Sequence, residues 1–137
     1  MTPSDVVNEA YPITVAAITV YREARGESYA AKLGVARVLR NRTVDGRWPN
    51  TLDGVALQPK QFSSFNKTDL NATLFPLRYN KIEWEAFMDS ARAVVESELV
   101  DPVDGANHYF DTSIAMPSWA KTMIFIKQIG KLKFYKG

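Results

Sequence analysis

The sequence predicts one α+β domain that is mainly helical and carries a small irregular β part. The chain has 137 residues and is 46% hydrophobic, enough for one buried core and too apolar for a disordered chain. Three segments repeat apolar residues at helical spacing, and short apolar runs near the C-terminus suit a hairpin. We therefore expect a single domain over 1–137, with an N-terminal segment 1–12 and a core 13–136.

The first two helices are separated by a short charged turn. Residues 13–25 place an apolar face at helical spacing, and Gly26 is a stop signal. Ser28 can then cap a second helix, which should end near the turn-rich residues 44–50. The basic residues expected to point outward from this helix are Lys32, Arg37 and Arg40.

The middle of the chain is the least regular part. Residues 45–80 show no sustained helical period, so we expect loops with short strands or turns that form a binding surface. A third helix over 82–99 follows, with Asn80 as its cap. Its apolar face includes Trp84 and Met88, which we expect in the core.

The C-terminal part predicts turns and strands. Residues 100–106 are a turn, and the residues that follow, up to 111, suit a short strand. Residues 124–128 and 132–135 should pair as a hairpin across 129–131. These strands form the small β part of the predicted domain.

Composition excludes several kinds of site. Without cysteine there is no disulfide, thiol nucleophile or thiolate metal site, and His108 alone cannot form a histidine-rich zinc cluster. We expect no cofactor and no metal. The formal net charge is +2 and the basic residues are spread out, which argues against nucleic-acid binding. No window is apolar enough to predict membrane insertion. We also expect a monomer.

The stretch "VYREARGES" at 20–28 is the strongest candidate site. Glu23 lies at the border of the apolar face, where partial desolvation raises the pKa of a carboxyl toward that of a general acid. Spacing alone favours another reading, a helix-end glutamate paired with Arg22 or Arg25. Glu27 could act as the acid, but stabilising the start of the second helix is the favoured role. Arg25 could orient a carboxylate or solvate the turn.

The wider pattern resembles a known family. "YREARGES" is followed by "AAKLGVARVLRNR", then "WPNTLDGVALQPKQFSSF", "DPVDGANHYFD" and "IGKLKFYK". In that order the segments resemble the cell-wall hydrolase family typified by the catalytic domain of spore cortex-lytic enzymes, with related domains in bacteriophages. The resemblance covers roughly residues 13–136.

The resemblance implies a fold similar to the lysozyme and lytic transglycosylase superfamily, and a catalytic role for this domain. Its members cut peptidoglycan between N-acetylmuramic acid and N-acetylglucosamine, and their catalytic glutamate corresponds to Glu23. An attack by the muramic 6-hydroxyl makes a lytic transglycosylase, and an attack by water makes a muramidase. The sequence leaves open whether Glu23 has a second acidic partner, and the candidates are Asp69, Asp101, Asp104 and Asp111.

The resemblance also suggests substrate-binding residues. Gln61 and Phe62 match the family's Gln-Phe pair, although Phe62 could equally be core. Tyr109 could hold an N-acetyl group or steady Glu23, whereas Phe110 suits the core. Two further candidates have alternatives: Trp119 could line the groove or, slightly favoured, pack locally, and Asn41 could reach the site or cap its helix. The chain departs from the family by carrying Leu132 where members commonly have histidine.

The expected biological setting is a phage endolysin or virion-associated lysin. Such a protein would be made in the host cytoplasm without a signal peptide and would reach the wall through a holin or on the virion. The alternative is a non-catalytic wall-binding or virion structural protein that retains the fold. A nucleic-acid-binding domain, suggested only by Arg37, Arg40 and Arg42, is a third hypothesis.

Overall fold

The computed structural model describes residues 2–58 and 81–137. Within these residues, four α-helices precede a three-stranded sheet, which confirms the predicted mainly helical α+β class. The helices are α1 (Pro3–Ala24), α2 (Tyr29–Thr43), α3 (Leu52–Ala56) and α4 (Lys81–Glu96). The strands are β1 (His108–Asp111), β2 (Ile124–Ile129) and β3 (Leu132–Lys136), with a short 3-10 helix at Ser118–Lys121.

Helix α1 is longer than the sequence pattern predicted. It begins at Pro3 rather than at residue 13, because Thr2 and Asp5 form a capping box that fixes the first turn. Pro3 suits the first turn, where its missing N–H is no loss. Pro12 lies inside the helix, although proline removes one backbone hydrogen bond there. The predicted N-terminal segment is thus largely the first half of α1.

The turn between α1 and α2 forms as predicted. The backbone N–H of Glu27 donates to the carbonyl of Ala24 at 3.0 Å, which closes the turn. Ser28 is the N-cap of α2, and its hydroxyl accepts from the backbone N–H of Ala31. Ala24 and Ala31 are both buried, so small side chains let the two helix ends approach closely.

One core joins the helices and the sheet. Helix α4 packs on α1 and α2, and α2 also contacts the sheet. Gly34 of α2 lies close to the sheet: a Cβ there would lie 2.7 Å from Cζ of Phe134 on β3. The predicted apolar faces of the first two helices are buried, but Lys32 is also 5% exposed rather than pointing outward.

The described part of the middle segment contains turns, as expected, but the short helix α3 and the exposure of Trp84 and Met88 differ from the prediction. Within 45–58 there is no strand; instead Thr51 caps the one-turn helix α3, which is too short to show a helical period. Trp84 and Met88 are 44% and 46% exposed, because α4 buries the small residues Ala93 and Ser90 against its neighbours. The expected cap Asn80 lies outside the described residues.

The sheet has the order β1-β3-β2 and is antiparallel throughout. The predicted hairpin is confirmed: Ile129 pairs with Leu132 across Gly130 and Lys131. Gly130 has φ +57°, a left-handed conformation that glycine adopts readily. No helix among the described residues is both long and apolar enough to cross a membrane.

Candidate active site

A cleft of about 170 Å³ lies where the helical layer meets the tip of the hairpin. The end of α1 and the following turn contribute Glu23, Gly26 and Glu27 to its walls. The sheet contributes Asp111, at the end of β1, and Lys131, in the hairpin turn. The cleft therefore brings three carboxylates and one ammonium group together.

Glu23 has the border position that its spacing predicts. Its side chain is half-buried, between the buried residues Val20 and Ala24 of α1. The backbone of α1 fixes where it points, and the open cleft gives a substrate access to it. Such a carboxyl can exchange a proton with a bound sugar.

Tyr109 stands close enough to Glu23 for their charges to interact. Burial, and then the negative charge of Glu23, raise the pKa of Tyr109 well above its ordinary value. The hydroxyl therefore keeps its proton at neutral pH and is available as a hydrogen-bond donor. The ring lies 5.9 Å from that of Phe134, which holds it against the core.

Glu27 turns toward the hairpin. A Cβ placed on Gly130 would lie 3.6 Å from Oε2 of Glu27, so the carboxylate packs closely on the turn. Oε1 of Glu27 is buried and has no hydrogen-bond partner among the described residues. A buried acceptor without a partner costs free energy, which a donor from a bound ligand would recover. Glu27 thus borders the cleft as well as preceding the cap of α2.

The described aspartates among the sequence candidates lie in two different places. Asp111 lines the cleft with Glu23. Asp101 instead shapes its own turn: it accepts from the backbone N–H groups of Val103 and Gly105 at 2.9 and 2.8 Å, and it pairs with Arg37 at 3.4 Å. Asp104 is exposed at the same turn, and Asp69 lies outside the described residues.

Arg25 belongs to a contact between helices. It pairs with Glu83 of α4 at 3.3 Å, and the hydroxyl of Tyr21 also donates to Glu83. The partner carboxylate is therefore on α4, and Arg25 does not line the Glu23 cleft. Since both side chains of the ion pair are partly exposed, its contribution to stability is small.

Asn41 and Trp119 lie away from the cleft lining. The amide of Asn41 donates to the carbonyl of Ala106 at 2.8 Å and accepts from Arg37, and the residue borders a different cavity. Trp119 packs with Phe110 in a small second cluster, which is the local packing that the sequence slightly favoured. Phe110 is buried as predicted. Gln61 and Phe62 lie outside the described residues.

The structure adds Lys131, which sequence analysis did not single out. The predicted hairpin turn could have indicated this residue, because Gly130 lets the neighbouring Lys131 approach the turn between α1 and α2. Leu132, at the family's histidine position, is 2% exposed and pairs with Asp111 across the sheet. Leucine in place of the family's histidine thus fills the core beside the cleft. Among the described residues no group of three or more acidic or histidine side chains is arranged to hold a metal.

The arginines of α2 make contacts within the protein. Arg37 and Arg40 donate to backbone carbonyls at the end of α4, Ser97 and Val94. Arg42 donates to the carbonyl of Asn107 at 2.8 Å. These guanidinium groups connect α2 to other elements, so they do not form the basic stripe expected of a nucleic-acid-binding helix.

Comparisons with known proteins agree with the resemblance seen in the sequence. The Cell Wall Hydrolase family matches residues 26–135, a range that begins just after Glu23. A spore cortex-lytic enzyme of Bacillus cereus is 34% identical over 124 residues, covering 90% of this chain and 44% of that protein. One from Oceanobacillus iheyensis is 36% identical, covering 98% and 46%. The chain therefore spans less than half the length of these relatives.

Solved structures show the same fold. The catalytic domain of the germination-specific lytic transglycosylase SleB from Bacillus anthracis superposes with a TM-score of 0.73 at 32% identity, covering 91% of this chain and 93% of that one. The catalytic domain of Bacillus cereus SleB gives 0.68 at 34% identity, covering 91% and 89%. With the family match, these similarities show that the chain belongs to the cell wall hydrolase family.

Proposed function

We propose that the chain cleaves the glycan strand of peptidoglycan between N-acetylmuramic acid and N-acetylglucosamine, with Glu23 as the catalytic residue. The observation that carries this proposal is the position of Glu23 in an open cleft shared with Glu27, Asp111 and Lys131. The similarity to a SleB catalytic domain, described as a lytic transglycosylase, supports that reaction over hydrolysis.

The chemistry follows from one carboxyl group that acts twice. Protonated Glu23 gives its proton to the glycosidic oxygen as the bond to C1 of muramic acid breaks. The carbonyl oxygen of the substrate's own N-acetyl group attacks C1 and stabilises the positive charge. Glu23, now a carboxylate, takes the proton of the muramic 6-hydroxyl. That oxygen then displaces the N-acetyl oxygen from C1 and closes a 1,6-anhydro ring.

The neighbouring groups have supporting roles in this scheme. Tyr109, with its hydroxyl protonated, can donate to the N-acetyl carbonyl or to the Glu23 carboxylate. Lys131 can pair with a carboxylate of the substrate at the cleft edge. A muramidase would instead use Asp111 or Glu27 to activate a water molecule. Gln61 and Phe62 remain predicted contacts to the sugar. Trp119 and Asn41 also remain predicted substrate contacts, although they do not line the cleft.

The test is a digest of purified peptidoglycan with product analysis by mass spectrometry. We expect the wild type to release 1,6-anhydromuramic products and Glu23→Gln to lose about 100- to 10,000-fold in rate, the usual contribution of a general acid. Glu85→Gln, an exposed glutamate on α4, is the matched control and should cut normally. Reducing muramic ends would indicate a muramidase, and an active Glu23→Gln would exclude the proposed role.

Two narrower expectations belong to the same proposal. A non-catalytic wall-binding protein would sediment with peptidoglycan but release no product in this digest. The role of phage endolysin or virion-associated lysin stays a prediction, since the relatives named above are bacterial spore cortex-lytic enzymes.

A further inference from the structure

The sheet has two faces of different character. Side chains alternate along a strand, so Tyr109 and Asp111 point to the core and the cleft, and His108 and Phe110 point to the opposite, outer face. On β3 the outer face carries Tyr135, which pairs with His108. The outer face is therefore separate from the Glu23 cleft.

Aromatic rings form a continuous row on this outer face, which we term the aromatic row. The centroid separations are 5.8 Å from Trp48 to His108, 5.1 Å from His108 to Trp119, 5.5 Å from Trp119 to Tyr135 and 5.4 Å from Tyr135 to Phe125. Within the row, the ring of Tyr135 is buried. Phe125 is 50% exposed and the other three rings are partly exposed.

Cationic groups lie at both ends of the aromatic row. The guanidinium groups of Arg47 and Arg42 lie 4.7 and 5.0 Å from the ring of Trp48, and Nζ of Lys133 lies 5.9 Å from the ring of Phe125. Arg42 is buried and Arg47 pairs with Asp45, whereas Lys133 is partly exposed, so Lys133 at the Phe125 end is the best placed of the three to meet an anionic ligand. Residues 112–137 contain five lysines and no acidic residue.

We infer that the aromatic row is a second binding surface for a peptidoglycan strand, outside the catalytic cleft. The inference rests on peptidoglycan being the substrate. Exposed aromatic rings can pack against the apolar faces of sugar rings, as Phe125 and Trp119 are placed to do. The lactyl and stem-peptide carboxylates of peptidoglycan are complementary to the ammonium group of Lys133, which lies beside Phe125.

The consequence is a difference between soluble and insoluble substrates. On an intact sacculus, a strand held on the outer face keeps the cleft close to neighbouring strands and raises their effective concentration. A short soluble glycan fragment can occupy only one of the two surfaces. The aromatic row should therefore strengthen the binding and cleavage of sacculi and have little influence on the cleavage of short fragments.

The test is sedimentation of the chain with purified sacculi freed of teichoic acid. Glu23→Gln serves as the parent so that the sacculi stay intact. Adding Lys133→Glu or Phe125→Ala should weaken binding about tenfold, since loss of one stacking or charge contact costs roughly 1–1.5 kcal/mol. Lys81→Glu and Leu99→Ala, exposed on or after α4, are matched controls and should bind like the parent.

The outcomes separate this inference from the proposed function. If both variants bind like the parent, the aromatic row is not a peptidoglycan surface. If they weaken binding only when teichoic acid is present, the occupant is teichoic acid and the inference is wrong. Cleavage of soluble glycan fragments tests the cleft independently of the aromatic row. In protein that keeps Glu23, Lys133→Glu should lower the cleavage rate on sacculi about tenfold relative to the cleavage rate on soluble fragments.

Discussion

At the scale of single residues, Tyr109 is the side chain whose surroundings point most directly to a role beside Glu23. Its raised pKa keeps the hydroxyl protonated, and its ring packs on Phe134. Tyr109→Phe keeps the ring and removes only the donor. We expect kcat/KM on peptidoglycan to fall about 10- to 100-fold, since a hydrogen bond to a charged group contributes about 1.5–3 kcal/mol.

The same variant should fold like the wild type, because the apolar contacts of the ring remain. Its melting temperature and its rate on peptidoglycan are measured on one preparation. A large loss of stability with an unchanged kcat/KM for the folded protein would instead assign Tyr109 to the core alone.

His108 makes a second prediction at this scale, on stability rather than activity. Burial, and then the charges of Arg42 and Arg47, lower the pKa of His108 to about 4. The unfolded chain takes up this proton near pH 6.5 and the folded chain only near pH 4, so the free energy of unfolding falls as the pH drops through this window. Because the ring is partly exposed, we expect a loss on the order of 1–2 kcal/mol.

The control for this pH effect is His108→Gln, which cannot titrate. Urea denaturation of both proteins at pH 7 and pH 4.5 isolates the contribution of His108 from that of the carboxylates, which are present in both. Equal losses in the two proteins would show that the histidine titrates normally in the folded state.

The sequence could predict single site residues only in part. The helical spacing placed Glu23 at the border of an apolar face but favoured an ion-paired helix end, and only the family resemblance predicted it as the catalytic residue. The sequence left Asp111 as one of four aspartates and missed Lys131, since their approach to Glu23 depends on how the hairpin docks. Asp101 looked equally suitable, yet its carboxylate is used by backbone N–H groups of its own turn.

At the scale of elements, Gly34 of α2 leaves no room for a larger side chain against Phe134 of β3. A Cβ on Gly34 would lie 2.7 Å from Cζ of the fully buried Phe134 and 3.3 Å from Val103. Gly34→Ala should therefore lower the free energy of unfolding by about 1–2 kcal/mol, because overpacking outweighs the better helix propensity of alanine. Chemical denaturation measures this loss.

Gly46 offers the matched control, because nothing lies within 4 Å of a Cβ built there. Gly46→Ala should leave the free energy of unfolding nearly unchanged. A stabilising effect of Gly34→Ala would mean that Phe134 can move aside, and that the contact between α2 and β3 is looser than the structure shows.

Elements were easier to predict from the sequence than their burial. Caps and turn glycines act locally, so Ser28 and Gly130 marked the start of α2 and the hairpin correctly. Burial depends on which neighbours an element meets. Helix α4 has a continuous apolar face, but its contacts with α1 and α2 leave Trp84 and Met88 substantially exposed.

At the scale of the whole molecule, the cleft forms where the end of α1 and the turn after it meet the tip of the hairpin. Glu23 and Glu27 come from the helical side, and Asp111 and Lys131 come from the sheet. The backbone N–H of Thr112 donates to the carbonyl of Lys131 at 2.8 Å, so the end of β1 is tied to the hairpin turn. A change in the hairpin turn should thus alter the active site without disturbing the helices.

Gly130→Val tests this coupling. Valine is unfavourable at φ +57°, and its side chain would press on the Glu27 carboxylate, which lies 3.6 Å from the Cβ position. We expect kcat/KM on peptidoglycan to fall at least about tenfold, because a displacement on the order of 1 Å in a catalytic site has effects of this size. Circular dichroism should still report the helical content of the wild type.

Gly46→Val is the control, since it places the same side chain in open space away from the cleft lining. It should cut peptidoglycan at the wild-type rate. If Gly130→Val is equally active, catalysis does not depend on the hairpin, and Asp111 and Lys131 drop out of the proposed site. If Gly130→Val loses helical content as well as activity, the hairpin supports the whole fold rather than the cleft. Only a loss of activity with unchanged helical content identifies the turn as a wall of the active site.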